Sequence, residues 1–338
     1  DDGTLYATFD GHKDNTFKPY VVRSDDYGKT WQNITGNLPE FGSTRSLAVH
    51  PNDGDLVFVG TDFGVYFSRD GGGHWLELGS GLPTNSVQGI IVHPRENDLV
   101  IGTHGRGFWA LDDIGLLEAL SADVVSGHSY LSAPRPATQI RDAQRGRRSF
   151  GHSYFTTKNP PRGAIIDYWI GDDAVGATVT LDVLDRRGNA VRRVGEWTAV
   201  RGAARAVWDL RHEAPPTDST SRWRTPVGRF VPPGDYELRL TVGDQAHTQP
   251  LAVRQDPAIN VSARDRATLE ATLALQAMLL EASYHAGKAI DASVEQTNAL
   301  LETLDDDDAL MSAARAAADE ASRPVSYTHL TLPTTCNL

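Results

Sequence analysis

Five polar side chains in the first third of the chain have types that bind ligands or transfer protons. They are Asp10, His12, Asp62, His104 and Arg106. Arginine makes bidentate contacts to carboxylates, and histidine gains or loses a proton near neutral pH. A glycosidase needs two carboxyl groups flanking the scissile bond, roughly 5 to 10 Å apart. Because the chain has 44 Asp and Glu residues, carboxylates alone identify no such pair. The five residues are therefore candidates for ligand binding, and no catalytic residue is assigned.

The same segments also have structural interpretations. Arg106 lies between two glycines, which is typical of a tight hairpin turn with the arginine exposed. His50 and His93 each precede a proline and are expected to cap strand ends, since no third or fourth ligand at metal-site spacing accompanies them. The acidic run at 305–308 lacks the glycine and glutamate of a calcium loop and predicts a solvated turn between helices. The sequence therefore predicts no metal and no cofactor.

The elements that must position the candidate side chains repeat along the chain. Ser24 and Ser68 are 44 residues apart, as are Trp31 and Trp75. Short β-branched and aromatic runs broken by Gly, Asn, Asp and Pro at such a period are typical of four-stranded propeller blades. The predicted strands of the second and third repeats are 46–50, 56–61, 64–68 and 74–78, then 89–93, 99–104 and 107–111.

The candidate side chains lie in equivalent loops of successive repeats. Asp10 and His12 follow one predicted strand, Asp62 follows its counterpart in the second repeat, and His104 and Arg106 follow that in the third. Blade geometry brings equivalent loops to one rim, so Asp62, His104 and Arg106 should cluster.

A motif of eight residues carries a family resemblance. The first copy, S-x-D-x-G-x-T-W, is complete, the second has His74 in place of threonine, and the third, at 111–115, has lost both serine and tryptophan. This motif resembles the Asp-box of BNR-repeat propellers, a group that includes sialidases, xyloglucanase-like glycoside hydrolases and the sortilin (Vps10) ectodomain. The residues concerned are Ser24, Asp26, Gly28, Thr30, Trp31, Ser68, Asp70, Gly72 and Trp75.

The resemblance implies a fold more than a reaction. Residues 1–117 resemble the last two to three blades of such a propeller, and the whole chain resembles bacterial BNR/sortilin-like proteins labelled "glycosyl hydrolase". In these families the boxes lie on the opposite rim from these loops, away from the active site. The box residues therefore have an expected structural role, with Asp and Ser bonding backbone N–H groups, Gly supplying positive φ and Trp covering the space between sheets. The resemblance also implies a secreted, periplasmic or cell-surface protein.

Beyond residue 117 the repeat ends and other patterns begin. Residues 118–160 predict a linker with a basic cluster at 141–148. Residues 161–256 alternate at period two and predict a seven-strand sandwich, and they resemble the immunoglobulin-like domain that follows the propeller in this family. Residues 258–322 predict a helical hairpin whose first helix begins at the Ser262 box. The predicted fold class is thus mainly β, with a partial propeller, a sandwich and a truncated helical hairpin.

Residues 325–338 are expected to be foreign to the natural protein. The segment at 325–334 reads VSYTHLTLPT, which a transposase-type sequencing adapter read through into the gene would encode, although a natural disordered tail is the alternative. Cys336, the only cysteine, lies in this segment, so the remaining residues offer no disulfide or thiolate ligand. A gene that ends in adapter is expected to be a fragment, with its start and any signal peptide missing.

Composition restricts the function classes. The net charge of −12, without a run of Lys or Arg, disfavours nucleic acid and anionic lipid as partners. The sequence contains no run of 18 apolar residues, so it predicts no membrane-spanning helix. We interpret the chain as an extracytoplasmic binding protein that presents a propeller face to protein or glycan ligands. The alternative is a glycoside hydrolase that acts at the axial face. The ligand, the number of blades and the oligomeric state stay open.

Overall fold

The computed structural model describes residues 3–79, 81–140, 159–217 and 227–302, with five further residues between 312 and 318. This part of the chain is mainly β, with several antiparallel sheets and few helices. The basic cluster, the acidic run, Cys336 and the expected adapter segment lie outside it, as does most of the second predicted helix. The chain divides into two compact units, residues 1–211 with 231–259 and residues 212–230 with 260–338.

The first unit begins with three antiparallel sheets in which chain neighbours are also sheet neighbours. The seven strands of the second and third sheets lie where the repeat predicts them. In the described residues, β1 lies at the edge of the first sheet and pairs with β2 alone. The strands are β1 Leu5–Thr8, β2 Val21–Ser24, β3 Gln32–Asn33, β4 Thr44–His50, β5 Asp53–Thr61, β6 Val65–Ser68, β7 Leu76–Glu77, β8 Val87–Val92, β9 Leu99–Thr103 and β10 Phe108–Leu111.

Apolar side chains between successive sheets hold these sheets together. The first and second sheets share a buried cluster that includes Val21, Ile34, Val59 and Trp75. Leu56 and Phe58 point to the other face of β5 and join a second cluster with the third sheet. Because β5 is covered on both faces, its second half is a continuous apolar run rather than an alternating one.

Two short helices and two short strands follow the third sheet. They are α1 Gly115–Ala119, α2 Ala122–Ser126, β11 Ser129–Leu131 and β12 Ala137–Gln139. The two strands pair with strands far along the chain, since Tyr130 lies opposite Trp169 and Thr138 lies opposite Arg254. The described part of the predicted linker, residues 118–140, therefore belongs to the folded body. The linker prediction was wrong there because three-residue strands are too short to show a period.

Two further sheets complete the first unit. One has the order β11-β13-β16 and the other the order β12-β18-β17-β14-β15. The sequence predicts seven strands within residues 161–256, and the described residues of this range contain six. Two further strands, β11 and β12, were not expected and join these sheets from the preceding segment. Trp208 is buried and packs edge-on against the half-buried Tyr236. The remaining strands are β13 Ala164–Ile170, β14 Thr178–Leu184, β15 Ala190–Thr198, β16 Gly202–Trp208, β17 Gly234–Val242 and β18 Gln245–Gln255.

In the described residues of the second unit, one long helix, α3, spans Ala263–Leu301. Ser262 precedes it, and its hydroxyl accepts the backbone N–H of Asp265 at 3.1 Å, so the predicted helix start is confirmed. In the described residues, no helix combines the length and the apolar character needed to cross a membrane.

Candidate functional site

Two of the predicted site carboxylates share one arginine. Asp10 and Asp62 lie in the loops that follow β1 and β5. Arg45, in β4, donates from Nε to Asp62 Oδ1 at 2.7 Å and from Nη2 to Asp62 Oδ2 at 3.3 Å. Its Nη1 forms a short ion pair with Asp10 Oδ2. The arginine therefore joins equivalent loops of adjacent sheets.

The third sheet reaches the same place through Ser86. The Ser86 hydroxyl donates to Asp62 Oδ1 at 3.2 Å, and its carbonyl oxygen accepts the backbone N–H of His104 at 2.8 Å. We call Asp10, Arg45, Asp62, Ser86 and His104 the rim cluster. Its contacts link loops of all three sheets.

The electrostatics of the rim cluster lower the pKa of Asp62. Burial would raise the pKa of Asp62, but the hydrogen bonds and charge of Arg45, with the Ser86 hydroxyl and the Ser43 N–H, bring it below its ordinary value. The hydrogen bond to Asp62 raises the pKa of Arg45 in turn. A catalytic general acid requires the opposite shift, since its carboxyl group must stay protonated near neutral pH.

The structure places the remaining predicted residues as follows. The backbone N–H of His12 donates to Asp10 Oδ1 at 3.0 Å, and its ring packs edge-on against Phe17 with centroids 5.1 Å apart. The side chains of His104 and Arg106 are exposed. Arg106 lies in a tight turn between Gly105 at φ 81° and Gly107 at φ 71°, and its carbonyl oxygen accepts the indole N–H of Trp109 at 3.2 Å.

The predicted clustering is therefore partial. Asp62 and His104 meet through Ser86, whereas the contacts that the described structure shows for Arg106 are those of a hairpin turn. Sequence reasoning missed Arg45 and Ser86. One signal was present, since two carboxylates predicted to lie close together favour a nearby cation. Nothing in the sequence distinguished Arg45 among 32 Lys and Arg residues.

The eight-residue motif forms two turns, at 24–31 and 68–75, which we call the box turns. In the first, Ser24 Oγ accepts the N–H of Gly28 at 2.8 Å, and Asp26 accepts both the N–H and the hydroxyl of Thr30 at 2.8 Å. The two bonds from Thr30, together with the one that the Ser24 hydroxyl donates to Asp26, lower the pKa of Asp26. Gly28 has φ 85°, a conformation that favours glycine.

The second box turn repeats this geometry with its own residues. Ser68 Oγ accepts the N–H of Gly72 at 2.8 Å and donates to Asp70 Oδ1 at 2.6 Å, while Asp70 accepts the N–H of His74 at 2.9 Å. Gly72 has φ 98°. The substitution of His74 for threonine therefore keeps the backbone bond of the turn. The side-chain hydrogen bonds described for both serines and both aspartates lie within their own turns.

His50 and His93 lie at strand ends, as expected. His50 Nδ1 accepts the N–H of Asn52 at 3.3 Å, and His93 Nδ1 accepts the N–H of Glu96 at 3.0 Å. The buried His50 ring also contacts Glu118 Oε1 through Nε2 at 2.8 Å. Within the described ranges, no group of three or more His, Cys, Asp or Glu side chains has the geometry to hold a metal ion.

Comparisons with known proteins found similarity to solved structures, and this similarity is weak. No family model matches the chain, and no curated protein matches it. The solved structures include the extracellular domain of the one-component system BT4673 of B. thetaiotaomicron, with a TM-score of 0.26 and 11% identity over 75% of this chain and 30% of that one. An ancestral GH74 enzyme gives a TM-score of 0.27 and 13% identity over 74% of this chain and 34% of the other. The chain spans a minor part of both, and likenesses this weak carry no inference about activity.

Proposed function

We propose that the chain is an extracytoplasmic binding protein whose rim cluster and neighbouring loops contact a protein or glycan ligand. In this proposal the three N-terminal sheets are the last two to three blades of a BNR-type propeller, and the sheets from β11 to β18 form an immunoglobulin-like sandwich. Three consecutive meander sheets at a repeat of 42 to 44 residues, with the two box turns bonded in the same way, support the propeller assignment.

The shared arginine is the observation that carries the binding function. Because Arg45 holds Asp10 and Asp62 in a fixed geometry, the loops of two sheets form a preorganised surface. The exposed Phe9 and Phe63 are chain neighbours of Asp10 and Asp62, and His104, a member of the rim cluster, is also exposed. Exposed aromatic residues beside fixed polar groups are typical of recognition surfaces.

The same observation counts against hydrolysis by this carboxylate pair. Retaining and inverting glycosidases require one protonated carboxyl group and one carboxylate. Both rim carboxylates are paired with one cation, and the pKa of Asp62 lies below its ordinary value. A site of this kind fits recognition better than proton transfer.

Affinity electrophoresis with a panel of soluble polysaccharides, including xyloglucan and galactomannan, tests the proposal for a glycan ligand. A pull-down with the chain as bait from a preparation of surface proteins tests it for a protein ligand. We expect one of these ligands to retain the chain, and we expect the chain to release no reducing ends from the polysaccharides. Replacing His104 and Arg106 together by alanine should weaken retention at least about tenfold, which corresponds to about 1.4 kcal/mol. Replacing Arg186 and Arg187 in the β14–β15 turn is the matched control.

Two outcomes would contradict the proposal. Equal loss of retention in the two double variants would show that general charge rather than the rim governs binding. Release of reducing ends that disappears in Asp62→Asn would instead identify a glycoside hydrolase that uses this carboxylate.

A further inference from the structure

A cavity of about 500 Å³ lies between the third sheet and the β11-β13-β16 sheet, separate from the rim cluster. Its walls are largely apolar and come from the loop after β7, from β9 and β10, from α1 and from β16. A volume of this size suits a drug-sized molecule, and an apolar wall with few polar groups is typical of ligand sites. The main apolar lining residues are Leu78, Leu82, Ile101, Trp109, Ile114 and Leu117.

Three charged residues, Asp113, Asp167 and Arg205, also line the cavity. Arg205 donates from Nε to Asp167 Oδ1 and from Nη2 to Asp167 Oδ2, both at 2.7 Å. Its Nη2 also reaches the carbonyl oxygens of Asp112 at 2.5 Å and Asp113 at 3.1 Å. These contacts engage Nε and Nη2 of the guanidinium, and the Asp167 carboxylate balances its charge.

Asp113 keeps capacity to accept a hydrogen bond. Its side chain is 9% exposed, and its Oδ1 accepts the N–H of Gly115 at 3.1 Å. The Oδ2 atom lies 4.0 Å from Arg135 Nε, which is beyond hydrogen-bond distance. A carboxylate in a largely buried position favours a positively charged partner.

The surroundings of Asp113 carry an excess of negative charge. Asp98, Asp112 and Asp167 lie near it, and the cations that face them are Arg135 and Arg205. Burial, followed by the charge of Asp98, raises the pKa of Asp112. Burial also raises the pKa of Asp167 despite its bond to Arg205. A ligand that brings positive charge would relieve this repulsion, whereas an anionic ligand would increase it.

We propose that this cavity binds a small amphipathic amine, with its apolar body against the leucine and tryptophan walls and its ammonium group at Asp113. The site is independent of the rim cluster, so the two proposals can fail separately. The apolar body supplies affinity through burial, and the charged head selects among molecules of similar shape.

Isothermal titration calorimetry of the full chain with three probes tests this inference. Phenylbutylamine, phenylbutanol and phenylbutyrate share one hydrocarbon body and carry a cationic, a neutral and an anionic head. We expect the amine to bind at least about tenfold more tightly than the alcohol, because its ammonium group adds Coulombic attraction to the Asp113 carboxylate that a hydroxyl group lacks. The carboxylate probe should bind most weakly.

Two kinds of variant locate the binding event. Asp113→Asn keeps the acceptor for Gly115 and suits the left-handed φ of 53°, so it should remove the preference for the amine and leave alcohol binding unchanged. Ala204→Phe should fill the cavity and abolish binding of every probe, with Leu117→Phe as a second filling variant if the first does not fold. Ala190→Phe, at an exposed position in β15, is the control.

Equal affinities for the three probes, or tighter binding of the carboxylate, would overturn the assigned ligand class. Lack of heat from every probe up to millimolar concentration would overturn the site itself. Unchanged amine binding in both folded filling variants would place the ligand elsewhere and would equally overturn it.

Discussion

At the scale of single residues, the described structure shows side chains that bond backbone groups in tight turns. Ser68 is fully buried, and its hydroxyl accepts the N–H groups of Asp70 and Gly72 while it donates to the Asp70 carboxylate. When this hydroxyl is removed, water cannot replace it as the acceptor for the Gly72 N–H, because that group is buried. The second box turn should therefore depend on this one atom.

Ser68→Ala should lower the free energy of unfolding by about 1 to 3 kcal/mol, the usual cost of leaving buried donors without an acceptor. Urea denaturation followed by fluorescence measures the change. Ser126→Ala, at an exposed position at the end of α2, should change stability by less than about 0.5 kcal/mol. A Ser68→Ala variant as stable as the control would exclude a structural role for the box hydroxyl.

The rim carboxylate Asp62 should contribute to the pH dependence of stability. Its pKa is lower in the folded chain than in the unfolded one, so its ionisation stabilises the fold above the ordinary value of about 3.9. This contribution is lost as the pH falls through the folded pKa. We expect Asp62→Asn to be less stable than the natural residue at pH 7, with the difference shrinking below about pH 4.

Thermal unfolding recorded from pH 7 down to about pH 2.5 measures this difference across the relevant range. Asp244→Asn, in the exposed β17–β18 turn, is the control for removing one carboxylate elsewhere on the surface. If the difference in thermal stability between Asp62→Asn and the parent chain stays constant with pH, the variant loses stability for a steric and not an electrostatic reason.

At the scale of elements, the repeat places one tryptophan in each box turn but gives the two different surroundings. Trp75 is 2% exposed, and its indole N–H donates to the carbonyl oxygen of Ile34 at 2.8 Å, across the gap between the first and second sheets. Trp31 is 47% exposed, and its indole N–H bonds Gly28 within its own turn. Packing between sheets therefore distinguishes residues that the motif treats as equivalent.

Trp75→Ala should destabilise the chain by about 3 to 5 kcal/mol, the usual cost of removing a fully buried aromatic side chain. Trp31→Ala should cost less than about 1 kcal/mol, as expected of a partly exposed side chain. Chemical denaturation of both variants measures the contrast, and Trp75→Phe provides a milder change if the alanine variant does not fold. Similar losses at the two positions would contradict the packing that distinguishes them.

At the scale of the whole molecule, the two compact units differ in how they bury apolar surface. The apolar clusters of the three N-terminal sheets draw their members from positions between 6 and 169, within the first unit. Several apolar side chains of α3 are exposed, among them Leu275, Met278 and Leu280. The first unit should therefore keep its own cooperative stability.

A chain that ends at Ile259 should unfold cooperatively at a midpoint within a few degrees of the full chain, while its circular dichroism loses the helical signal. Calorimetry of the two chains gives the comparison. A broad transition or aggregation of the shorter chain would contradict the independence of the first unit.

The sequence alone determined the local features of this protein. The period of 44 residues, the box turns, the strands of the second and third sheets and the start of α3 were all predictable, because turn chemistry, alternation and helix capping depend on residues a few positions apart. The loops that carry Asp10, Asp62 and His104 were predictable for the same reason.

Only the tertiary structure decided which of these features meet. Arg45 reaches carboxylates 35 and 17 positions away, and Arg205 bonds the carbonyl of Asp112 across 93 positions. β11 and β12 become strands because distant strands offer them backbone partners, and the cavity exists because two sheets with separate patterns face each other across it. Such contacts depend on the packing of whole elements, and residue spacing along the chain does not encode them.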